Sequence, residues 1–275
     1  MATNYLFSKE LAAFLQLAEG RLRSGLGAVL LLEGEPGGGK TAFAKAVAAR
    51  LGGTCHYYSG SPDKERDLLY EIDVQGVLTR QAAWVPGPAW RAFQESAEGA
   101  FSVLLVDEVD KTNPGFDAFL LRLLEDFTFR APDGREISAN PAKLAVVITT
   151  NGRRKLRPEV MRRCQRVNVP LPTGERLEQI IRGIAQCDIP EKLLQLAIRL
   201  GDAVRKADCE NGPSPKELAF LCQDCLSLAA VGETDQAIWR AVGASWLVKN
   251  GGAAAVDKAV SFAWAKSLAT ESQRH

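Results

Sequence analysis

No apolar run in the sequence approaches the roughly 18–20 residues that a helical membrane span requires. Nor does one sign of charge dominate, with 34 Lys+Arg against 33 Asp+Glu. No global field therefore draws the chain to nucleic acid or lipid, and any such affinity has to be local. Histidine is nearly missing: only His56 and His275 are present, and neither lies near the Cys222/Cys225 pair in sequence. A zinc site would need two further ligands at suitable spacing. Both cysteines sit in an apolar helical stripe with Leu218, Leu221 and Ala229, so they are expected to be core thiols. The six cysteines are scattered over a chain too large to need disulfide staples, which fits a reducing cytosol. The opening "MATNYLFSKE" lacks the basic region and apolar core of a secretory signal, so the expected location is cytoplasmic. No Ser–His–Asp set, paired glycosidase carboxylates, metalloprotease pattern, internal repeat or low-complexity tract is present.

What the chain does have is alternation. "AVLLLEG" (28–34), "CHYYS" (55–59), "SVLLVD" (102–107), "LAVVITT" (144–150) and "RVNVPL" (166–171) read as strands. Three of them are almost wholly apolar, as parallel strands covered on both faces must be. Helical patterns run between them, over 40–51 and over 116–127, where Phe116, Phe119, Leu120, Leu123, Leu124 and Phe127 recur on one face. Such alternation predicts an α/β core with a five-stranded parallel sheet. The stretch 70–90 is too long for a plain connection, so it reads as an insertion with a helix and a Pro/Gly turn. "FTFRAPDGREI" (127–137) reads as a hairpin around Pro-Asp-Gly. Beyond "PLPTG" the pattern turns wholly helical, near 174–187, 190–206, 214–230, 235–249 and 253–269. The expected domains are an α/β core over 1–172 and a helical domain over 173–275. The tryptophans Trp239, Trp246 and Trp264 are spaced as helix-packing anchors in the second.

"GEPGGGKT" (34–41) fits G-x-x-x-x-G-K-[ST], after an apolar strand and at the start of a helix. Glycines let the backbone wrap a phosphate, and consecutive N–H groups at the helix start attract its charge. The expected nucleotide contacts are Gly34, Glu35, Pro36, Gly37, Gly38, Gly39, Lys40, Thr41 and Ala42. Lys40 would reach the β/γ phosphates, and the Thr41 hydroxyl would hold Mg²⁺. "SVLLVDEVDK" (102–111) brings Asp107 and Glu108 to the carboxyl end of a strand, where open α/β sheets bind ligands. Asp107 suits the Mg²⁺ side and Glu108 the polarisation of an attacking water. Nucleotide hydrolysis is the one chemistry these residues support together.

This set resembles the AAA+ ATPases, and within them the MoxR-like branch. The residues that carry the likeness are the loop at 34–41, "LLVDEVDK" (104–111), "VVITTN" (146–151), "LRPEVMRRC" (156–164) and "GPSPKELAFL" (212–221). The insertion at 70–90 looks like that branch's helix-2 insert, and 127–137 stands where the branch carries a hairpin. The resemblance implies an AAA+ P-loop core with an all-α lid, binding ATP and Mg²⁺. It places Asn151 at the sensor-1 position and Lys216 at the sensor-2 position, where an arginine is more usual. A lysine there offers charge without a planar fork. It places Arg163, with Arg162 as companion or alternate, at the helix end that reaches into a neighbouring subunit's site. It also implies a ring, a hexamer in that branch, and a protein client or adaptor that can carry a von Willebrand factor A domain. No residue names adenine over guanine.

Two signals compete with this reading. Arg153, Arg154, Lys155, Arg157, Arg162, Arg163 and Arg166 form the one cluster able to bind nucleic-acid phosphates, as a loader or restriction-type motor would. Tyr70, Trp84 and Trp90 either grip a polypeptide or pack the insertion onto the sheet.

Overall fold

Five apolar runs lie side by side in the computed structural model, which describes residues 5–62, 64–78, 84–206, 212–233 and 236–247. The strands are β1 (Ala28–Glu33), β2 (Thr54–Ser59), β3 (Tyr70–Ile72), β4 (Trp84–Pro86), β5 (Ser102–Asp107), β6 (Thr128–Arg130), β7 (Glu136–Ser138), β8 (Leu144–Thr150) and β9 (Gln165–Asn168). The central sheet is parallel in the order β2-β5-β8-β1-β9.

Helices follow from the same sequence logic. α1 (Lys9–Arg23) starts where the Ser8 side chain accepts from the Leu11 amide at 3.3 Å and turns Leu11, Leu15, Ala18 and Leu22 inward. α2 (Lys40–Leu51) opens at the glycine loop and closes on a left-handed Gly52. α3 (Val74–Leu78) is a single short turn inside the insertion, and α4 (Pro88–Ala97) begins with proline at its first position. α5 (Phe116–Asp126) ends on Phe127, a non-glycine residue at φ +51°. The Phe127 ring lies so close to Gly27 that a Cβ there would meet it at 2.8 Å. α6 (Pro158–Arg163) again starts on proline.

Side chains alternate across the sheet. Val29, Leu31, Leu104, Val106, Val146 and Ile148 face α4 and α5. Leu30, Leu32, Val103, Leu105, Ala145 and Val147 face α1 and α2. Both faces are covered, so the three inner strands β5, β8 and β1 are apolar over most of their length. Phe43, Phe93 and Phe116 are fully buried, and each such ring stabilises the fold by roughly 1.5–3 kcal/mol.

The insertion differs in detail from the sequence reading. β3 and β4 pair antiparallel, with Tyr70 opposite Pro86 and Ile72 opposite Trp84, so a two-stranded ribbon frames the helical turn. The ribbon ends at Pro86, and Trp90 already belongs to α4. The Pro-Asp-Gly hairpin forms as β6 and β7, one residue later than 127–137 because Phe127 caps α5. The last parallel strand is shorter than read and ends at Asn168. Helices α1 and α4 had no counterpart among the elements read from sequence.

Cα packing divides the chain into two units that meet in sequence at Pro170/Leu171, with Pro36–Gly38 grouped with the second. The second unit contains α7 (Gly174–Ala185), α8 (Glu191–Lys206), α9 (Pro215–Ala230) and α10 (Gln236–Leu247). Its core includes Leu177, Ile181, Leu194, Leu218, Leu221, Cys222 and Cys225. Trp246 packs on Phe220 and donates to the Asp224 carboxylate at 2.7 Å. The helix read near 253–269, Trp264, and the side chain of Trp239 lie outside the described residues. No helix among the described residues is long and apolar enough to cross a membrane.

Candidate functional site

At the carboxyl end of the sheet, β1 leads into the glycine loop at Gly34, whose φ is +153°. A Cβ there would stand 2.3 Å from the Val169 carbonyl oxygen, so the close approach of the last strand admits only glycine. Gly39, at φ +88°, precedes the first residue of α2 and delivers Lys40 and Thr41 into the site.

The Lys40 ammonium is buried and donates to three oxygens. These are the carbonyls of Gly34 at 2.7 Å and Glu35 at 2.8 Å, and Asn151 Oδ1 at 2.8 Å. Burial lowers its pKa from 10.5, and Asp107, Asp110, Glu108 and Glu35, in that order, oppose the shift. The cation is therefore held directly by neutral oxygens alone.

Thr41 Oγ1 lies 2.9 Å from Asp107 Oδ2 and 3.1 Å from Oδ1. Among the described residues, no group of three or more His, Cys, Asp and Glu could hold a metal by itself. One hydroxyl and one carboxylate, both hard oxygen donors, fit Mg²⁺ shared with substrate phosphates rather than a free-standing cation cage.

Glu108 stands in the left-handed region at φ +52°, a conformation that costs a non-glycine residue on the order of 1–3 kcal/mol. Its amide donates to Thr149 Oγ1 at 2.8 Å. Its carboxylate accepts from Asn151 Nδ2 at 3.3 Å and from Lys111 Nζ at 2.5 Å. Asp110 then holds the loop after β8 in place, accepting from the amides of Asn151 at 3.1 Å and Arg153 at 3.2 Å. Gly60, at the end of β2, lets the chain pass the Glu108 carbonyl, where a Cβ would clash at 2.3 Å.

The geometry brings Lys40, Thr41, Asp107, Glu108 and Asn151 together. Thr149, Asp110, Lys111 and Gly60 were missed in the sequence. The available signal was polarity at the end of strands that are otherwise apolar, where a buried hydroxyl or carboxylate must have a partner.

Arg162 and Arg163 are exposed at the end of α6, and Arg163 Nη2 donates to Glu125 at 2.6 Å. Lys216 is exposed in the first turn of α9, behind the Ser214/Glu217 capping box, with its ammonium 5.4 Å from the Phe220 ring centroid. The basic cluster is dispersed. Arg154 pairs with the buried Asp117 at 2.8 Å, Arg163 with Glu125 and Arg166 with Glu33 at 3.1 Å. The insertion aromatics pack: Tyr70 meets Trp84 edge-on, and Trp90 is buried against Phe129 with Arg135 over its ring.

Residues 29–164 match the family described as AAA domain (dynein-related subfamily). The chain is 27% identical over 160 residues to the Replication factor C large subunit of Archaeoglobus fulgidus, covering 57% of this chain and 29% of that protein. It is 36% identical over 101 residues to Lon protease 1 of Syntrophotalea carbinolica, covering 36% of this chain and 12% of that protein. It thus spans less than a third of the length of these relatives. Among solved structures, the S. cerevisiae Hsp104–ADP complex matches 81% of this chain and 45% of that one, with a TM-score of 0.56 at 20% identity. The FIGL-1 AAA domain in complex with ADP matches 98% and 88%, with a TM-score of 0.54 at 17% identity. At such identities the likeness is one of fold.

Proposed function

We propose that the chain, whose residues 29–164 match an AAA domain family and whose fold is that of AAA domains, is a MoxR-like AAA+ ATPase that hydrolyses ATP at the subunit interfaces of a ring, a hexamer in that branch, to remodel a partner protein. The observation that carries this reading is the convergence of Lys40, Thr41, Asp107, Glu108 and Asn151 at one sheet end. Two of the fold's neighbours were solved with ADP, which supports an adenine nucleotide.

In this reading the loop amides and Lys40 bind the β and γ phosphates, for which Lys40 gives up its backbone carbonyls. Thr41 and Asp107 hold Mg²⁺, which when bound neutralises charge on the phosphate oxygens. Glu108 draws a proton from the attacking water, and Asn151 orients that water toward the γ-phosphate. Arg163, with Arg162 as its companion, comes from the neighbouring subunit to meet the charge that develops in transfer. Lys216 supplies a further positive charge from the helical unit, without the planar geometry of arginine. A client or adaptor, with or without a von Willebrand factor A domain, provides what the ring acts on.

The test is steady-state phosphate release by the wild type and by Glu108→Gln. Turnover should fall by about 10²–10⁴-fold, while ATP binding stays near the wild-type level. A Glu108→Gln protein at full speed removes the base assignment, and a wild type that binds ATP without hydrolysis removes the enzyme. The nucleic-acid alternative is less favoured because the buried Asp117 holds Arg154, one of its seven cations. DNA retention that weakens steeply between two salt concentrations would restore it.

A further inference from the structure

Thr149 is the sixth residue of β8, a strand buried along its whole length, and its side chain is 0% exposed. Its hydroxyl has one proton to give and lone pairs to offer, and no water reaches it to satisfy either. It gives the proton to Asp107 Oδ1 at 2.5 Å and accepts the Glu108 amide at 2.8 Å. A single hydroxyl therefore fixes both members of the acidic pair. Donation to Oδ1 sets the rotation of the Asp107 carboxylate and leaves Oδ2 turned to Thr41 at 2.9 Å. Acceptance anchors the amide of a residue at φ +52°, and so fixes the direction in which the Glu108 side chain leaves the backbone.

The placement follows from register. β5 and β8 pair with Val106 opposite Ile148, so the next residues in each strand, Asp107 and Thr149, emerge together at the sheet's carboxyl end. Asn151 is held by a separate anchor, its amide donating to Asp110 Oδ1 at 3.1 Å. Removing the Thr149 hydroxyl should accordingly disturb the acidic pair without releasing Asn151.

We propose that Thr149 is a positioning residue for hydrolysis, acting through Asp107 and Glu108 and touching neither substrate nor water; this rests on the ATPase reading above. Threonine suits the task better than serine because its β-branch restricts χ1 and keeps the hydroxyl aimed. Valine keeps the shape and loses both hydrogen bonds.

The experiment compares the full-length wild type with Thr149→Val and Thr149→Ser. Three quantities are read: turnover across a Mg²⁺ titration, ATP binding by calorimetry in EDTA and in Mg²⁺, and the melting curve. For Thr149→Val, kcat should fall on the order of 10²-fold, the scale of a small misplacement of reacting groups. The Mg²⁺ needed for half-maximal rate should rise, and the gain in ATP affinity on adding Mg²⁺ should shrink. ATP affinity in EDTA should be unchanged, and melting should stay cooperative. Thr149→Ser should recover most of the loss. Wild-type kcat and Mg²⁺ response in Thr149→Val overturn the proposal, as does equal impairment of Val and Ser, or an EDTA affinity that drops as far as kcat. A Val variant that does not fold is replaced by Thr149→Cys, whose weak S–H donor should rank between Ser and complete loss. A wild type without turnover counts against the enzyme, and the Mg²⁺-dependent gain in ATP affinity still tests the Asp107 half of the proposal.

Discussion

Glu108 is held at both oxygens, one by Asn151 and the other by Lys111. An ammonium 2.5 Å from a carboxylate occupies the oxygen that would otherwise face an attacking water, and so competes with that water for the position. The pair is part-exposed, at 39% and 33%, so water and salt weaken it and the competition should be modest. Lys111→Met should therefore raise basal turnover by a few-fold without altering ATP affinity, which rate and binding measurements on the same preparation can check. The thiols give a second residue-scale expectation. Burial is the main cause that pushes Cys164, Cys222 and Cys225 up to about 12. A thiol raised in the folded state favours folding below its unfolded value of 9.0, and that contribution disappears as pH climbs from there toward 12. Stability should fall above about pH 9, and at pH 8 a thiol reagent should modify exposed Cys187 quickly and half-buried Cys164 slowly, while buried Cys222 and Cys225 wait for unfolding. At this scale the legible residues were those in contiguous motifs, Gly34 to Thr41 and the acidic pair. Thr149 and Asp110 were not legible, because their meaning lies in partners more than 40 positions away, at separations of 41 to 43.

Between elements, the loop from Asn151 to Arg157 is fixed by more than its own sequence. Buried Asp117, in the first turn of α5, accepts Arg154 through both terminal nitrogens at 3.0 and 2.8 Å and the Arg157 amide at 2.7 Å. Arg154 also donates to the Val109 carbonyl and the Thr112 hydroxyl, which joins α5, the turn after β5 and the loop after β8. Removing the carboxylate would leave the Arg157 amide without its acceptor and a largely buried guanidinium with neutral acceptors only. Asp117→Ala should cost about 3–5 kcal/mol, read as a lowered melting temperature. Breaking the exposed Arg50–Glu19 pair by Glu19→Ala should cost under ~1 kcal/mol. The parallel strands and the hairpin were readable because burial on two faces and a Pro-Asp-Gly turn leave local signatures. The ribbon of the insertion was not, since three-residue strands pair through backbone and carry too short a pattern to read. The basic run at 153–166 is hard to weigh for a related reason: sequence counts charges and does not show which of them meet carboxylates from distant segments.

For the whole molecule, the proposed ring turns on Arg163. Its partner here, Glu125, lies in the same chain at 2.6 Å, with side chains 36% and 53% exposed. An ion pair that open to water is worth about 0–1 kcal/mol, so leaving Glu125 for a phosphate of the next subunit costs little. The guanidinium would gain far more at a desolvated phosphate, where an arginine acting from outside can contribute roughly 10³–10⁵ in rate. Arg163→Ala should then keep ATP binding and lose most turnover, and Lys40→Ala should lose ATP binding. Neither protein alone can complete a site. In a mixed assembly, an intact Lys40 of the Arg163→Ala chain can face an intact Arg163 of the Lys40→Ala chain, and some hydrolysis should return in proportion to such interfaces. Glu125→Gln serves as the control, because it frees the arginine without removing it and should leave turnover equal to or above wild type. Co-assembly has to be shown by size measurement on the same mixture; a co-assembled mixture that stays inactive would place Arg163 outside the neighbouring site.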